Sequence, residues 1–194
     1  KAGTMDRLGL GYEALAARHP RLVYVSVSGF GNLGDSPYRA WPAYAMVPEA
    51  MSGLYEYARR GDEPPRVTPA GALGDISSAL FAVIGILAAL RHRDVTGRGQ
   101  QVDVAMLDSM IAMTDVITNF WSLGQRENTP EIIMTGFRAA DGWFAVQVAR
   151  EHQFVRLAEL VGHAEWPDEE RFSTRKGWAD HLESTIRPAV ESWA

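Results

Sequence analysis

The sequence predicts an α/β protein: part of an open, parallel-stranded large domain over residues 1–124, then a small α+β domain over residues 125–194. Three observations carry this expectation. The near-continuous apolar run Leu22-Val23-Tyr24-Val25-Ser26-Val27 follows a helical pattern across a tight turn. That is the second half of a βαβ unit, with a strand buried on both faces. The glycine-rich loop Gly29-Phe30-Gly31-Asn32-Leu33-Gly34 follows that strand at once, where open α/β sheets bind ligands. Beyond residue 125 the pattern changes to a hairpin with flanking helices.

In chain order, Leu8, Leu10, Leu15 and Ala16 line one amphipathic helix. It stops at His19-Pro20, because a residue before proline is pushed out of the helical region. The strand covers residues 22–28, and residues 37–42 are loop. Residues 44–57 read as a helix with Pro48 near its first turn and Gly53 inside it, and residues 59–69 as a polar, proline-bearing loop. Asp75 then stands directly before a long helix in which Leu80, Val83, Ile84, Leu87 and Leu90 recur at helical spacing. Ala79, Ala82, Ala88 and Ala89 allow that helix to pack closely, Arg91-His92-Arg93 suit its C-terminal dipole, and Thr96-Gly97-Arg98-Gly99 stops it.

Residues 101–104 form a short strand with Asp103 between two valines. A second long helix follows over 106–123, its apolar side made by Met106, Met110, Met113, Ile117, Phe120 and Trp121, with the methionines as core filler. Residues 125–130 are a polar linker and domain boundary. Residues 137–148 form a hairpin around Asp141-Gly142, residues 152–161 a helix closed by Gly162, and residues 178–193 a helix interrupted near Pro188.

Composition narrows the function. A 46% hydrophobic, 22% charged chain is an ordinary globular one, and a net charge of −5 without a basic block gives nucleic acid no footing. The absence of cysteine removes disulfides, thiolate metal sites and cysteine nucleophiles, and fits a reducing, cytoplasmic setting. The longest apolar run, residues 79–90, is too short for a bilayer, so no membrane partner is expected. The chain opens on Lys1 and closes inside a helical pattern, which reads as an internal piece of a longer protein.

His19, His92, His152, His163 and His181 have no acid or serine at a recognisable spacing and read as solvated. Metal-hydrolase, nucleotide-hydrolase and serine-hydrolase motifs are missing. The run Asp168-Glu169-Glu170 reads as a solvated helix start. That leaves Asp75, which either caps the long helix or acts as a carboxylate nucleophile kept ionised by the helix N-terminus. Gly71 and Gly74 leave space beside it for an acyl group.

The strings GFGNLGDSPY and PAYAMVPEAMSG, Asp75 heading its Ala/Leu-rich helix, and TGRGQQVDVAMLD together resemble the family III CoA-transferases. ADGWFAVQV, REHQFVRLAELVG and DEERFSTR resemble that family's small domain, so the likeness covers nearly the whole chain. It implies part of a Rossmann-like large domain with long helices, a small α+β domain, and an interlocked homodimer. It implies transfer of CoA from an acyl-CoA to an acceptor carboxylic acid, with Asp75 forming anhydride and thioester intermediates. Coenzyme A and its thioesters are then substrates, with no tightly bound cofactor and no metal.

Gly29, Phe30, Gly31, Tyr44, Glu49, Gly74 and Arg98 are the implied substrate- and CoA-binding positions. Arg98 either meets a CoA phosphate or simply ends its loop. Asp103 and Asp108 read as structural. Three departures stand out. Ala43-Tyr44-Ala45 lacks the acidic residue that many transferases carry, Tyr44 stands where racemases carry a histidine, and residues 128–136 hold one glycine where formyl-CoA transferase has a glycine-rich flap. The alternatives are an acyl-CoA racemase or isomerase, and a non-catalytic CoA-binding or dimer-partner remnant. The family's CoA-adenine contacts lie largely before this stretch, so the chain by itself is expected to bind CoA poorly.

Overall fold

The computed structural model describes residues 1–57, 59, 62–67, 71–124 and 131–194. The chain forms two compact units, Lys1–Arg126 and Glu127–Ala194. The predicted linker, residues 125–130, lies outside the described residues, as do parts of the loop predicted over 59–69.

In the first unit, β1 (Tyr24–Ser28) pairs in parallel with β2 (Gln101–Ala105), Val25 opposite Val102 and Ser26 opposite Asp103. Parallel neighbours need a crossover. Here it runs through α3 (Met46–Met51), α4 (Leu54–Tyr57) and the 24-residue α5 (Leu73–Thr96). The βαβ unit is thus closed by α5, downstream of β1. Val27 is half exposed, so β1 is not buried on both faces as its composition suggested.

In this first unit three predicted helices are each split, and the breaks have local causes. The first becomes α1 (Thr4–Arg7) and α2 (Tyr12–Ala16), because Gly9 turns left-handed and Gly11 enters α2 extended. Leu8 and Leu10 are consequently exposed. Gly53, at φ 85°, separates α3 from α4. Thr114 separates α6 (Met106–Met113) from α7 (Asp115–Ser122), and its hydroxyl donates to the Met110 carbonyl at 2.8 Å. Met106 and Met110 are buried, whereas Met113 and Trp121 face outward.

Helix α5 buries the opposite side from the one its large residues suggested. Gly74, Ser77, Ser78, Ala82 and Ala89 are buried, while Leu80, Val83, Ile84 and Leu87 are exposed. Small side chains let the helix sit close: a Cβ on Gly85 would lie 2.5 Å from Val102 Cγ1 on β2. Among the described residues α5 is long and apolar enough, by length and composition, to cross a membrane, contrary to the shorter run read from sequence. It packs on β2, α6 and α3 within this unit. Its end is a glycine stop, Gly97 at φ 75° donating to the Arg93 carbonyl at 2.8 Å. Gly99 then donates to the Pro20 carbonyl at 2.8 Å, so close to residue 22 that a Cβ would fall 1.9 Å from the Leu22 oxygen.

In the second unit, β3 (Ile133–Ala139) and β4 (Gly142–Val148) form an antiparallel hairpin. Ala139 pairs with Gly142, so the loop is Ala140-Asp141, one residue earlier than predicted. Ile133, Phe137 and Val148 pack with Phe154, Trp166, Phe172, Trp178 and Val190. Phe154 stacks on Trp178 at 4.5 Å. Helix α8 (Glu151–Leu160) starts where Gln153 Oε1 accepts the N–H of Arg150 at 3.0 Å, and Gly162 closes it at φ 84°. The acidic run lies in two 3₁₀ turns, Trp166–Asp168 and Glu170–Phe172, not at a helix start. The last predicted helix is α9 (Arg175–Asp180), a π-helical turn (Leu182–Ile186) and α10 (Arg187–Trp193), with Pro188 tolerated in the first turn of α10.

Candidate active site

The start of α5 is fastened from outside. The first N–H groups of a helix have no partner within it. Glu49, on α3 and only 4% exposed, supplies one: its Oε1 accepts the Gly74 N–H at 3.0 Å. Its Oε2 accepts the hydroxyl of buried Tyr55 on α4. Asp75, one residue later, is exposed in the first turn and makes no capping bond. The capping role that the sequence left open for Asp75 therefore belongs to Glu49, and the Asp75 carboxyl is left facing outward. Burial, then the hydrogen bond and the charge of Glu49, push the Tyr55 hydroxyl up to about 12.

Gly74 is gripped on its other sides too. A Cβ there would lie 2.9 Å from the Ala45 oxygen, 3.0 Å from Ala45 Cα and 3.2 Å from Pro48 Cγ. Its carbonyl accepts the hydroxyls of Ser78 at 2.6 Å and Ser77 at 3.3 Å.

The glycine loop at the end of β1 is held by Asp103. Its Oδ2 accepts the backbone N–H groups of Asn32 at 2.6 Å and Leu33 at 2.8 Å. Its Oδ1 accepts from Asn32 Nδ2 at 2.9 Å and the Ser26 hydroxyl at 2.7 Å. Partial burial works to raise its carboxyl, but these hydrogen bonds outweigh it and hold the group below the usual aspartate value. A Cβ on Gly29 would fall 2.4 Å from the Ala43 Cβ. Gly29 thus touches Ala43 while Ala45 touches Gly74, and Tyr44 between them is 84% exposed. Residues 43–45 link Gly29, at the C-terminal end of β1 where an α/β sheet presents its ligand site, to Gly74, the residue before Asp75. The space that Gly74 was expected to leave for an acyl group is filled instead by Ala45 and Pro48.

Other expected positions lie elsewhere. Phe30 is buried and packs on Tyr38 at 5.5 Å, so it shapes the loop from beneath. Gly31 is buried at φ 87°, beside Asp103. Glu49 is committed to Gly74 and Tyr55 and does not face a ligand. Arg98 lies past the far end of α5, roughly 30 Å from Asp75 at 1.5 Å per residue. Asp108 is exposed in the first turn of α6. Two histidines depart from the solvated, unpartnered reading. His163 is half-buried, stacked on Trp166 at 4.6 Å and 3.0 Å from Glu165 Oε1. His181 is half-buried against Phe172, with its Nδ1 2.9 Å from the Gly177 carbonyl. Among the described residues no three His, Cys, Asp or Glu side chains form a group able to hold a metal.

Sequence reasoning missed Tyr55, Ser78 and Asn32. Only Asp103 carried a visible mark, a carboxylate inside an apolar strand.

The sequence model of CoA-transferase family III matches residues 1–194, and the chain belongs to that family. It is 35% identical to the succinyl-CoA–L-malate CoA-transferase alpha subunit of Chloroflexus aurantiacus, over 91% of this chain and 42% of that protein. It is also 35% identical to the acetyl-CoA:oxalate CoA-transferase of Acetobacter aceti, over 89% of this chain and 46% of that one. Among solved structures, a CaiB/BaiF family protein from Brucella suis superposes with a TM-score of 0.71 at 30% identity, over 98% of this chain and 51% of that one. A hypothetical protein from Mycobacterium tuberculosis gives 0.79 at 26% identity, with the same shares covered. The chain spans about half the length of the relatives it matches.

Proposed function

We propose that this chain carries the nucleophile of an enzyme that moves CoA from an acyl-CoA thioester to a carboxylate, and that the nucleophile is Asp75. The observation that carries this is the division of labour at the head of α5. Glu49 satisfies the Gly74 N–H from a buried position, and Asp75, the residue after Gly74, presents an exposed carboxyl that caps nothing.

In the chemistry that fits, an Asp75 oxygen attacks the thioester carbonyl, the C–S bond breaks and CoA thiolate leaves, giving an acyl–aspartyl anhydride. The thiolate then attacks the Asp75 carbonyl carbon, the donor acid departs as its carboxylate, and an aspartyl-CoA thioester remains. The acceptor carboxylate attacks that thioester and expels the thiolate. Return of the thiolate to the acceptor carbonyl then frees Asp75. Each tetrahedral intermediate bears an oxyanion that needs a hydrogen-bond donor, and the N–H groups of Leu73, Gly74 and Ile76 are already bound to Gly71, Glu49 and Ala72. The Asn32 and Leu33 N–H groups are already bound to Asp103.

Relatives named for succinyl-CoA or acetyl-CoA, and for malate, mesaconate or oxalate, support short acyl-CoAs and small dicarboxylic acids as the substrate classes. The exposed apolar side of α5 supports the interlocked homodimer, built on a Rossmann-like large domain, that the family resemblance implies. Tyr44 at the racemase histidine position weighs against isomerisation.

The test is to incubate the purified protein with a panel of acyl-CoAs, add hydroxylamine and sequence the Asp75 peptide by mass spectrometry. A hydroxamate at Asp75 is expected, and none in Asp75→Ala. An unmodified Asp75 across the panel, in protein that binds CoA, would sink the proposal.

A further inference from the structure

We infer that Glu49 and Tyr55 form a positioning pair that aims Asp75, acting through Gly74. This rests on Asp75 being the nucleophile.

The two peptide groups that flank Gly74, the one before it and the one that joins it to Asp75, are each held by a side chain. On the amide side, Glu49 Oε1 binds the Gly74 N–H at 3.0 Å. On the carbonyl side, the Ser78 hydroxyl binds the Gly74 oxygen at 2.6 Å. Ala45 and Pro48 close the space where a side chain would stand. The backbone entering Asp75 therefore has one place to be, set by α3 and α4.

Glu49 is itself immobilised. A carboxyl group that is 4% exposed needs its oxygens satisfied, and among the described residues no cation pairs with it. Tyr55 answers that need with its hydroxyl, six residues along the chain. Burying a carboxyl is a poor way simply to hold two short helices together, since an apolar residue of similar volume serves as well. Its use here is directional: it gives the first turn of α5 one orientation. Proximity effects are steep, and a displacement of about 1 Å at a reacting group costs about 100-fold in rate.

Glu49→Ala, Glu49→Gln and Tyr55→Phe separate aiming from folding. With succinyl-CoA as the probe, the rate of Asp75 acylation is read by hydroxylamine trapping, with KM and the melting temperature measured alongside. Glu49→Ala is expected to acylate 10- to 100-fold more slowly, on the order of a 1 Å displacement, with KM changed less than about threefold. Glutamine keeps an oxygen for Gly74 and donates its amide to the Tyr55 oxygen, so Glu49→Gln is expected to recover most of the rate. Tyr55→Phe is expected to fall between them.

A folded Glu49→Ala that acylates at the wild-type rate overturns the inference, and so does a Glu49→Gln as slow as the alanine variant. If Glu49→Ala does not fold, Tyr55→Phe decides, and a wild-type rate there is equally fatal. Failure of the nucleophile assignment is distinguishable, because the wild type would then carry no label at Asp75 at all.

Discussion

Asp103 and Asn32 are joined twice: one carboxylate oxygen takes the Asn32 backbone N–H at 2.6 Å, the other its side-chain amide at 2.9 Å. The glycine loop after β1 would otherwise leave neighbouring N–H groups pointing into a half-buried corner. Replacing Asp103 by alanine strips the acceptor from Asn32, Leu33 and Ser26 together. We expect a loss of about 1–3 kcal/mol, the usual range for hydrogen bonds to a charged acceptor, measured by urea denaturation. Asp103→Asn keeps one acceptor oxygen and should lose less. A change under about 0.5 kcal/mol for the alanine variant would mean the loop is held by something else.

The same contacts set an acid limb. Because the folded state holds Asp103 below its ordinary value, the bonus is present above the unfolded pKa of about 3.9 and is lost as pH falls through the lower folded value. Between about pH 4 and 2, wild type should therefore lose stability faster than Asp103→Asn. Parallel curves over that window would show that Asp103 does not titrate in this way.

Tyr55 gives the opposite sign. Its hydroxyl, raised to about 12, stays protonated in the fold after an unfolded tyrosine has ionised. The stabilisation is complete below about pH 10 and disappears as pH climbs through 12. In an ultraviolet titration one of the six tyrosines should ionise last, and Tyr55→Phe should remove that final step. A final step that survives in Tyr55→Phe refutes the assignment.

What the sequence disclosed depended on range. Asp103 between two valines and the Gly97 stop were visible because strand alternation and helix termination are local patterns, whereas β1 pairs in parallel without the burial on both faces from which that pairing was read. The breaks at Gly9, Gly53 and Thr114 were not, since each continues a helical apolar pattern and only the backbone dihedrals reveal the stop. The inverted face of α5 was hidden for a different reason. Periodicity marks the side rich in large apolar residues, and here the small residues Gly74, Ser78, Ala82, Gly85 and Ala89 make the close contact. At the site, Asp75 stood out by elimination. Its support did not, because Glu49 and Ser78 converge on Gly74, with Tyr55 behind Glu49, only in three dimensions.

Gly74→Ala tests how tightly that support is built. The new methyl would sit 2.9 Å from the Ala45 carbonyl oxygen, against backbone that cannot swing aside. We expect about 1–3 kcal/mol of destabilisation from overpacking, and a slower acylation of Asp75. Alanine is the better helix former by about 1 kcal/mol, so a stabilised variant would show that the first turn of α5 is looser than these contacts require.

In the second unit the equivalent linchpin is Arg187, which no sequence pattern singled out. Its guanidinium binds both oxygens of Glu183 at 2.6 and 2.9 Å, the Gly136 carbonyl at 2.7 Å and Glu191 at 3.2 Å, and it lies 5.0 Å over the Phe137 ring. Two acids on its own helical stretch thus aim the side chain at β3, so that one residue ties α10 to the hairpin. Isolated surface pairs contribute little, but this side chain is 22% exposed and its fork is filled on each edge. We expect Arg187→Ala to cost about 1–3 kcal/mol in denaturation followed by tryptophan fluorescence, which reports on buried Trp166 and Trp178. Lysine preserves the charge but cannot span Glu183 and Gly136 together, so Arg187→Lys should recover less than half of the loss. Full recovery by lysine would reduce the role of Arg187 to charge alone.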